Sequence, residues 1–163
     1  MLIALFSDIH DHTAPMITAL HRADALGCQH LLFMGDLTSL STMQTMREEW
    51  PHPIDLVFGN NEQHHDFHLQ LAESLPDTTH HGTAASITID SRRIFFCHYP
   101  HTAAREAALG TYDAIFYGHT HIAAQQQGKH SLLANPGEIQ GRTGMRSFGI
   151  YDTRDSSLRI IRL

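Results

Sequence analysis

Cysteine is nearly missing from this chain. Cys28 and Cys97 are the only two, and they form no CxxC pair. That spacing excludes a disulfide framework and a thiolate zinc site; both residues read as small buried apolar side chains. Lysine is scarcer still, because ten of the eleven basic residues are arginine and Lys129 stands alone. Against 17 acidic residues this leaves a formal charge of −6. Such a surface lacks the basic field that large nucleic acids and anionic membranes require. It also repels phosphate unless a local positive charge intervenes, and bound metals would supply one. No apolar run is long enough to span a bilayer, and there is no linker, low-complexity tract or repeat. The chain opens Met1-Leu2-Ile3-Ala4-Leu5-Phe6 and reaches Asp8 at once. A secretory signal would want a basic start and a longer apolar run, so a cytoplasmic protein is expected. With 163 residues, a single domain over 1–163 is expected as well.

What the chain does have is histidine, 15 of them, and five short motifs rich in metal ligands. These are Ser7-Asp8-Ile9-His10, Gly35-Asp36, Gly59-Asn60-Asn61-Glu62, Cys97-His98 and Gly118-His119-Thr120-His121. Each follows an apolar, β-like run: LIALF, HLLFM, IDLVF, RIFF and AIFY. Together the corners offer two carboxylates, an amide oxygen and four imidazoles. A mixture of carboxylate, imidazole and amide suits borderline to hard divalent metals such as Mn, Fe, Ni or Zn. Asp8 and His10 are two residues apart, as are His119 and His121; in an extended chain each pair points to one side.

The front half alternates strand and helix, with strands near 2–7, 30–34 and 54–58 and helical patterns near 14–26, 40–49 and 62–74. Pro51 and Pro53 stop the second helix. Residues 84–89 and 92–97 then read as a hairpin around Asp90-Ser91. A helix near 101–109 precedes a strand at 114–117, and the tail is mostly strands, near 121–126, 131–134, 146–152 and 157–162. Helix-linked strands followed by hairpins imply an α/β (α+β) chain with two β-sheets and helices outside. Ligands at the carboxyl ends of α/β strands are expected, since the crevice opens there.

The ordered set D-x-H, GD, GN-x-[DE], H and GH-x-H resembles the calcineurin-like metallophosphoesterase superfamily, and the short chain resembles its compact bacterial and archaeal phosphodiesterase branch. The resemblance runs from Met1 to about Gly141. It implies a four-layer fold, two mixed sheets in a sandwich flanked by helices, and a dinuclear centre with manganese the foremost metal. By matching position, Asp8, His10 and His121 would hold one cation, Asn60, His98 and His119 the other, and Asp36 would bridge both. Two cations about 3.5–4 Å apart acidify a shared water, making a bridging hydroxide that attacks phosphorus, and clamp the phosphoryl oxygens. The implied catalytic positions are Asp36, Asn60 and Asn61; the implied substrate is a small or activated phosphodiester. A homodimer follows from the resemblance alone.

Three positions depart from that pattern. Asn61 stands where much of the superfamily has a histidine that protonates the leaving group, and an amide cannot act as an acid near neutral pH. Glu62 stands where the family usually has Asp. The fourth motif reads His98-Tyr99-Pro100-His101 rather than H-G-H; His98 is the ligand expected there, and His101 reads as a substrate contact or as a residue behind the ligands. Arg142, after Asn135-Pro136-Gly137-Glu138, either grips a phosphate oxygen as a bidentate fork or is a surface charge. His12, His64, His65 and His68 read as solvated loop or helix faces, any of which is a candidate replacement acid. His80-His81 beside Gly82 reads as an exposed turn. The alternative to a phosphodiesterase is a non-catalytic scaffold of the same fold, as in the retromer-associated relative; a nuclease of large DNA is disfavoured by length and charge.

Overall fold

The computed structural model describes every residue from Met1 to Leu163. In chain order the elements are β1 (Leu2–Phe6), α1 (Thr13–Ala25), β2 (Cys28–Phe33), α2 (Leu40–Glu49), β3 (Ile54–Leu56), α3 (His65–Ser74), β4 (Thr78–His80), β5 (Ala84–Ile89), β6 (Arg92–Cys97), α4 (Pro100–Leu109), β7 (Ala114–Phe116), β8 (Ala124–Gln127), β9 (Leu132–Asn135), β10 (Ser147–Asp152) and β11 (Ser157–Arg162). Six strands make one sheet in the order β11-β10-β1-β2-β3-β4, and five make the other in the order β5-β6-β7-β9-β8. β1 to β4 run parallel, with β10 and β11 added antiparallel at one side. In the second sheet β6, β7 and β9 are parallel between two antiparallel edge strands. Both sheets are therefore mixed, and their parallel centres aim the carboxyl ends of β1, β2, β3, β6 and β7 at a common crevice.

Strand alternation builds the layers. Along β1, Ala4 and Phe6 face a core shared with Met16, Leu20 and Ala23 of α1 and Met43 and Met46 of α2. Ile3 and Leu5 face the opposite way, into a core shared with Ile94 and Phe96 of β6 and Phe116 of β7. The outward residues of the second sheet, Phe95, Cys97 and Ile115, pack on Ala103 of α4. The period of two in each strand thus gives helices, sheet, sheet and helix, four layers with three apolar seams. Phe96 is wholly buried between the sheets, and truncating such a side chain to Ala costs roughly 3–5 kcal/mol. Cys28 and Cys97 are buried and unpaired, and burial pushes both thiols up to about 12.

The hairpin joining β5 to β6 turns through Asp90 and Ser91, both with positive φ (47° and 64°), the backbone that matches the twist of paired strands. Two expectations are corrected. Residues 62–64 are not helical: His64 sits at φ 58° and α3 begins at His65, because the third motif must first turn Glu62 inward. His80-His81 is no exposed turn. β4 pairs with β3 there, the His80 ring packs at a tilt against Phe58 with ring centroids 3.9 Å apart, and His81 Nε2 lies 2.6 Å from Asp55 Oδ1. No helix is long and apolar enough to cross a membrane.

Candidate metal centre

Each strand end turns at once into a loop whose backbone is left-handed. Asp8, His10, Asp36, His119 and His121 all have φ between 47° and 68°. The pairs Asp8/His10 and His119/His121 are thus not extended, as strand spacing suggested. They are tight corners that fold two side chains toward one point, a conformation Asp and His adopt more readily than bulky residues. The glycines of the motifs serve close approach. A Cβ on Gly59 would strike Asp36 Oδ1, and one on Gly118 would strike Ser7 Oγ. Only bare backbone lets the third and fifth corners lie against the carboxylates of the first two.

The candidate ligand atoms lie at distances that would suit a shared cation. Asp8 Oδ1 is 3.3 Å from His121 Nε2 and 3.9 Å from His10 Nε2. Asp36 Oδ2 stands between two imidazoles, 3.4 Å from His10 Nε2 and 3.5 Å from His98 Nε2. Asn60 Oδ1 is 3.0 Å from His98 Nε2 and 2.9 Å from His119 Nδ1. Donors each about 2.0–2.2 Å from one ion sit about 3–3.5 Å apart, so the spacing fits. Two groups of potential ligands result, Asp8 with His10 and His121, and Asp8 with Asp36 and His98; Asp8 belongs to both.

The chemistry of the donors fits as well. Asp8 Oδ1 and His10 Nε2 are buried with no hydrogen-bond partner, which would be costly unless an ion met them. His98 is fully buried, and its Nδ1–H donates to the Met34 carbonyl at 2.7 Å. Its Nε2 lone pair therefore faces the Asn60 oxygen, acceptor to acceptor, an arrangement that a cation resolves. Asp8 above all, with Asp36, raises the pKa of His10 against the opposing effect of burial. Asp8, Asp36 and His98 are buried, His10 and His121 half-buried, and Asn60 and His119 exposed, so the centre opens to solvent on one side only.

Behind the ligands lies Glu138, which the sequence reading placed only within a turn. It is fully buried. Its Oε2 accepts from His121 Nδ1 at 2.7 Å, and its Oε1 accepts from the amide and hydroxyl of Thr143. Burial pushes this carboxyl up, but the Thr143 and His121 hydrogen bonds outweigh it and hold the pKa below the usual range. The His121 Nε2 lone pair is thereby fixed toward Asp8, the carboxylate–histidine arrangement common behind metal ligands. An acid two residues after a proline, in the turn that follows the fifth motif, is the signal the sequence offers. Glu62 does similar work for the loops: its two oxygens accept from the Leu37 and Gly59 amides.

A cavity of about 430 Å³ lies over the centre, and Asn61, Thr120, Arg142 and Thr143 line it together with His10, Asp36, Asn60, His119 and His121. Asn61 gives its side-chain N–H to Asp36 Oδ2 at 2.7 Å, and the amides of Asn60 and Asn61 both donate to Asp36 Oδ1 at 2.8 Å. Arg142 is exposed at the rim. His101 is not part of this cavity; it is exposed on the first turn of α4, its ring 5.4 Å from Tyr99. Tyr99 does reach the site, with ring centroids 5.2 Å from His98 and 5.1 Å from His119. His12, His64 and His65 are exposed as expected, whereas His68 is buried.

Known proteins share both the sequence and this architecture. The chain is 31% identical over 167 residues to phosphodiesterase MJ0936 of Methanocaldococcus jannaschii, covering 99% of this chain and 98% of that one. A solved archaeal phosphodiesterase superposes with a TM-score of 0.92 at 28% identity, each chain covered in full. Zinc-bound Vps29 from Entamoeba histolytica superposes with a TM-score of 0.70, covering 100% of this chain and 98% of that one; at 18% identity that likeness shows the fold alone. The calcineurin-like phosphoesterase superfamily domain matches residues 1–156. With its ordered corner motifs, its two mixed sheets and a donor set that fits divalent cations, the chain belongs to that superfamily and is a metal-dependent phosphoesterase.

Proposed function

We propose that this chain hydrolyses phosphodiester bonds of small or activated substrates, using two divalent cations, manganese foremost. One would lie among Asp8, His10 and His121, the other among Asn60, His98 and His119, with Asp36 between them. The observation that carries this reading is the pair of buried polar atoms without a hydrogen-bond partner, Asp8 Oδ1 and His10 Nε2, beside the close approach of Asn60 Oδ1 and His98 Nε2. When bound, paired cations supply Lewis acidity toward phosphoryl oxygens and make water a competent nucleophile near neutral pH.

The remaining work belongs to the chain's own residues. Three N–H donors from Asn60 and Asn61 hold the Asp36 carboxylate in one orientation. Glu138 fixes His121. Arg142, on the cavity rim, would grip a phosphoryl oxygen in its guanidinium fork. Asn61 has no proton to give near neutral pH, and its amide is engaged with Asp36. The leaving oxygen therefore departs without help from this position, which favours aryl leaving groups over alkyl ones. Rates should fall steeply as leaving-group pKa rises; a flat dependence would show that another acid acts.

The test is hydrolysis by metal-stripped protein reloaded with Mn, Ni, Zn or Mg, comparing an aryl phosphodiester with its monoester, with Asp36→Asn alongside. Metal-dependent diester cleavage lost in the variant is the expected result. Two tightly bound ions per chain without cleavage would overturn it and favour a metal-binding scaffold of the same fold.

A further inference from the structure

A second cavity, of about 510 Å³, adjoins the metal centre between the start of α2 and the start of α3, and Asn61 lines both. Its size lies within the range of small-molecule sites. Three hydroxyl residues (Thr38, Ser39, Ser41) face Asn61, His68 and Phe67 across it. His68 is only 2% exposed; its Nδ1 lies 3.4 Å from the His64 carbonyl, and its Nε2 is buried with no partner. Thr38 Oγ1 is likewise buried and unpartnered, on a residue held at φ 89°, a strained backbone for a β-branched side chain. Phe67 contrasts with both: its ring is 56% exposed at the mouth, 5.9 Å from the ring of His64.

The lining selects by chemistry. No Asp, Glu, Lys or Arg contributes to it, so nothing there would hold a second phosphate or an ammonium group. Only two of its nine residues, Leu40 and Phe67, are hydrophobic. An open aromatic ring, the Ser41 hydroxyl and two buried polar atoms without partners, Thr38 Oγ1 and His68 Nε2, instead suit a flat, uncharged, heteroatom-rich group. The geometry points to this cavity as a nucleoside subsite, holding one alcohol arm of a nucleotidyl phosphodiester with its base on Phe67 while the phosphorus lies over the metal centre. This rests on the phosphodiesterase reading above and names the substrate class for it.

Binding and turnover separate the two. Metal-free protein is titrated with adenosine and with thymidine, followed by two-dimensional amide NMR; Ser39, Ser41, Asn61 and Phe67 signals are expected to move. Phe67→Ala should abolish those shifts, and Phe67→Tyr should keep them. With manganese bound, Phe67→Ala should raise KM for the p-nitrophenyl ester of thymidine 5′-phosphate about tenfold, the scale of one lost base–aromatic stack, and leave methyl p-nitrophenyl phosphate unchanged. An active wild type that binds neither nucleoside, or a variant that loses equally on both esters, overturns the subsite. Nucleoside binding lost in Phe67→Ala, in a protein inert toward both esters, supports the subsite and overturns the phosphodiesterase reading.

Discussion

The two sheets contribute opposite chemistry to the centre and steady it in opposite ways. The first sheet brings mostly oxygen: Asp8, Asp36 and Asn60, with His10 beside them. Its carboxylates are fixed by donors, Asp36 by the amides of Asn60 and Asn61, Asp8 by the Ser7 hydroxyl and the His119 amide. The second sheet brings only imidazoles, fixed by acceptors on their far nitrogens, His98 by the Met34 carbonyl and His121 by Glu138. Two of these ties cross from one sheet to the other, Asp8 to His119 and His98 to Met34. Neither half is preorganised alone; each carries part of the other's alignment, which makes the centre a property of the packed sandwich.

Three experiments break that arrangement in descending order, and a fourth serves as their control. Asp36→Asn removes the one carboxylate that faces His10 and His98 at once, and hydrolysis should fall to background while the fold, read by circular dichroism, persists. Glu138→Gln attacks the imidazole half from behind; activity and metal affinity should drop about 10–100-fold, measured by metal titration and by kcat/KM at saturating metal. Ser7→Ala touches the oxygen half, deleting a buried 2.6 Å bond to Asp8. It should cost about 1–3 kcal/mol, seen as a lower Tm. Equal losses of metal affinity from Glu138→Gln and Ser7→Ala would erase the distinction between the halves.

The smallest effect lies outside both halves and serves as their control. Burial, mainly, pushes His80 down to about 3. Its unfolded form binds a proton from about 6.5 downward, so its stabilisation is whole above that pH and lost progressively as pH falls toward 3. Asp55 follows in a lower window. Burial opposes its charge, but hydrogen bonds from His30 and His81 hold it at about 2, so its stabilisation is full above about 4 and lost as pH falls through 2. Between pH 6.5 and 5, Tm should fall more steeply for the wild type than for His80→Phe; parallel slopes would remove His80 from the account.

The corner motifs were legible because strand ends in α/β sheets collect ligands and because the residue types there were unusual. The four helices and the hairpin at Asp90-Ser91 were legible from periodicity, and the family resemblance supplied the two mixed sheets in four layers. β4 was not, since Thr78-Thr79-His80 is too short and polar to signal a strand; it exists because β3 offers an unpaired edge. In sequence His68 and His80 look solvated because histidine is ambivalent, and the Phe58 ring draws them inward. The Asp8/His10 geometry was misjudged for a related reason. Spacing in sequence says nothing about where a strand stops, and here it stops one residue before the metal corner begins.

Those left-handed corners carry an evolutionary consequence. Asp8, His10, Asp36, His119 and His121 occupy a backbone region that glycine enters without penalty, so the residues expected to do the chemistry are also those that tax the fold. Lineages under selection for turnover must tolerate that tax. Glycine at any of these five positions would relieve the backbone and remove a candidate ligand in one step, the familiar antagonism between robustness and catalysis.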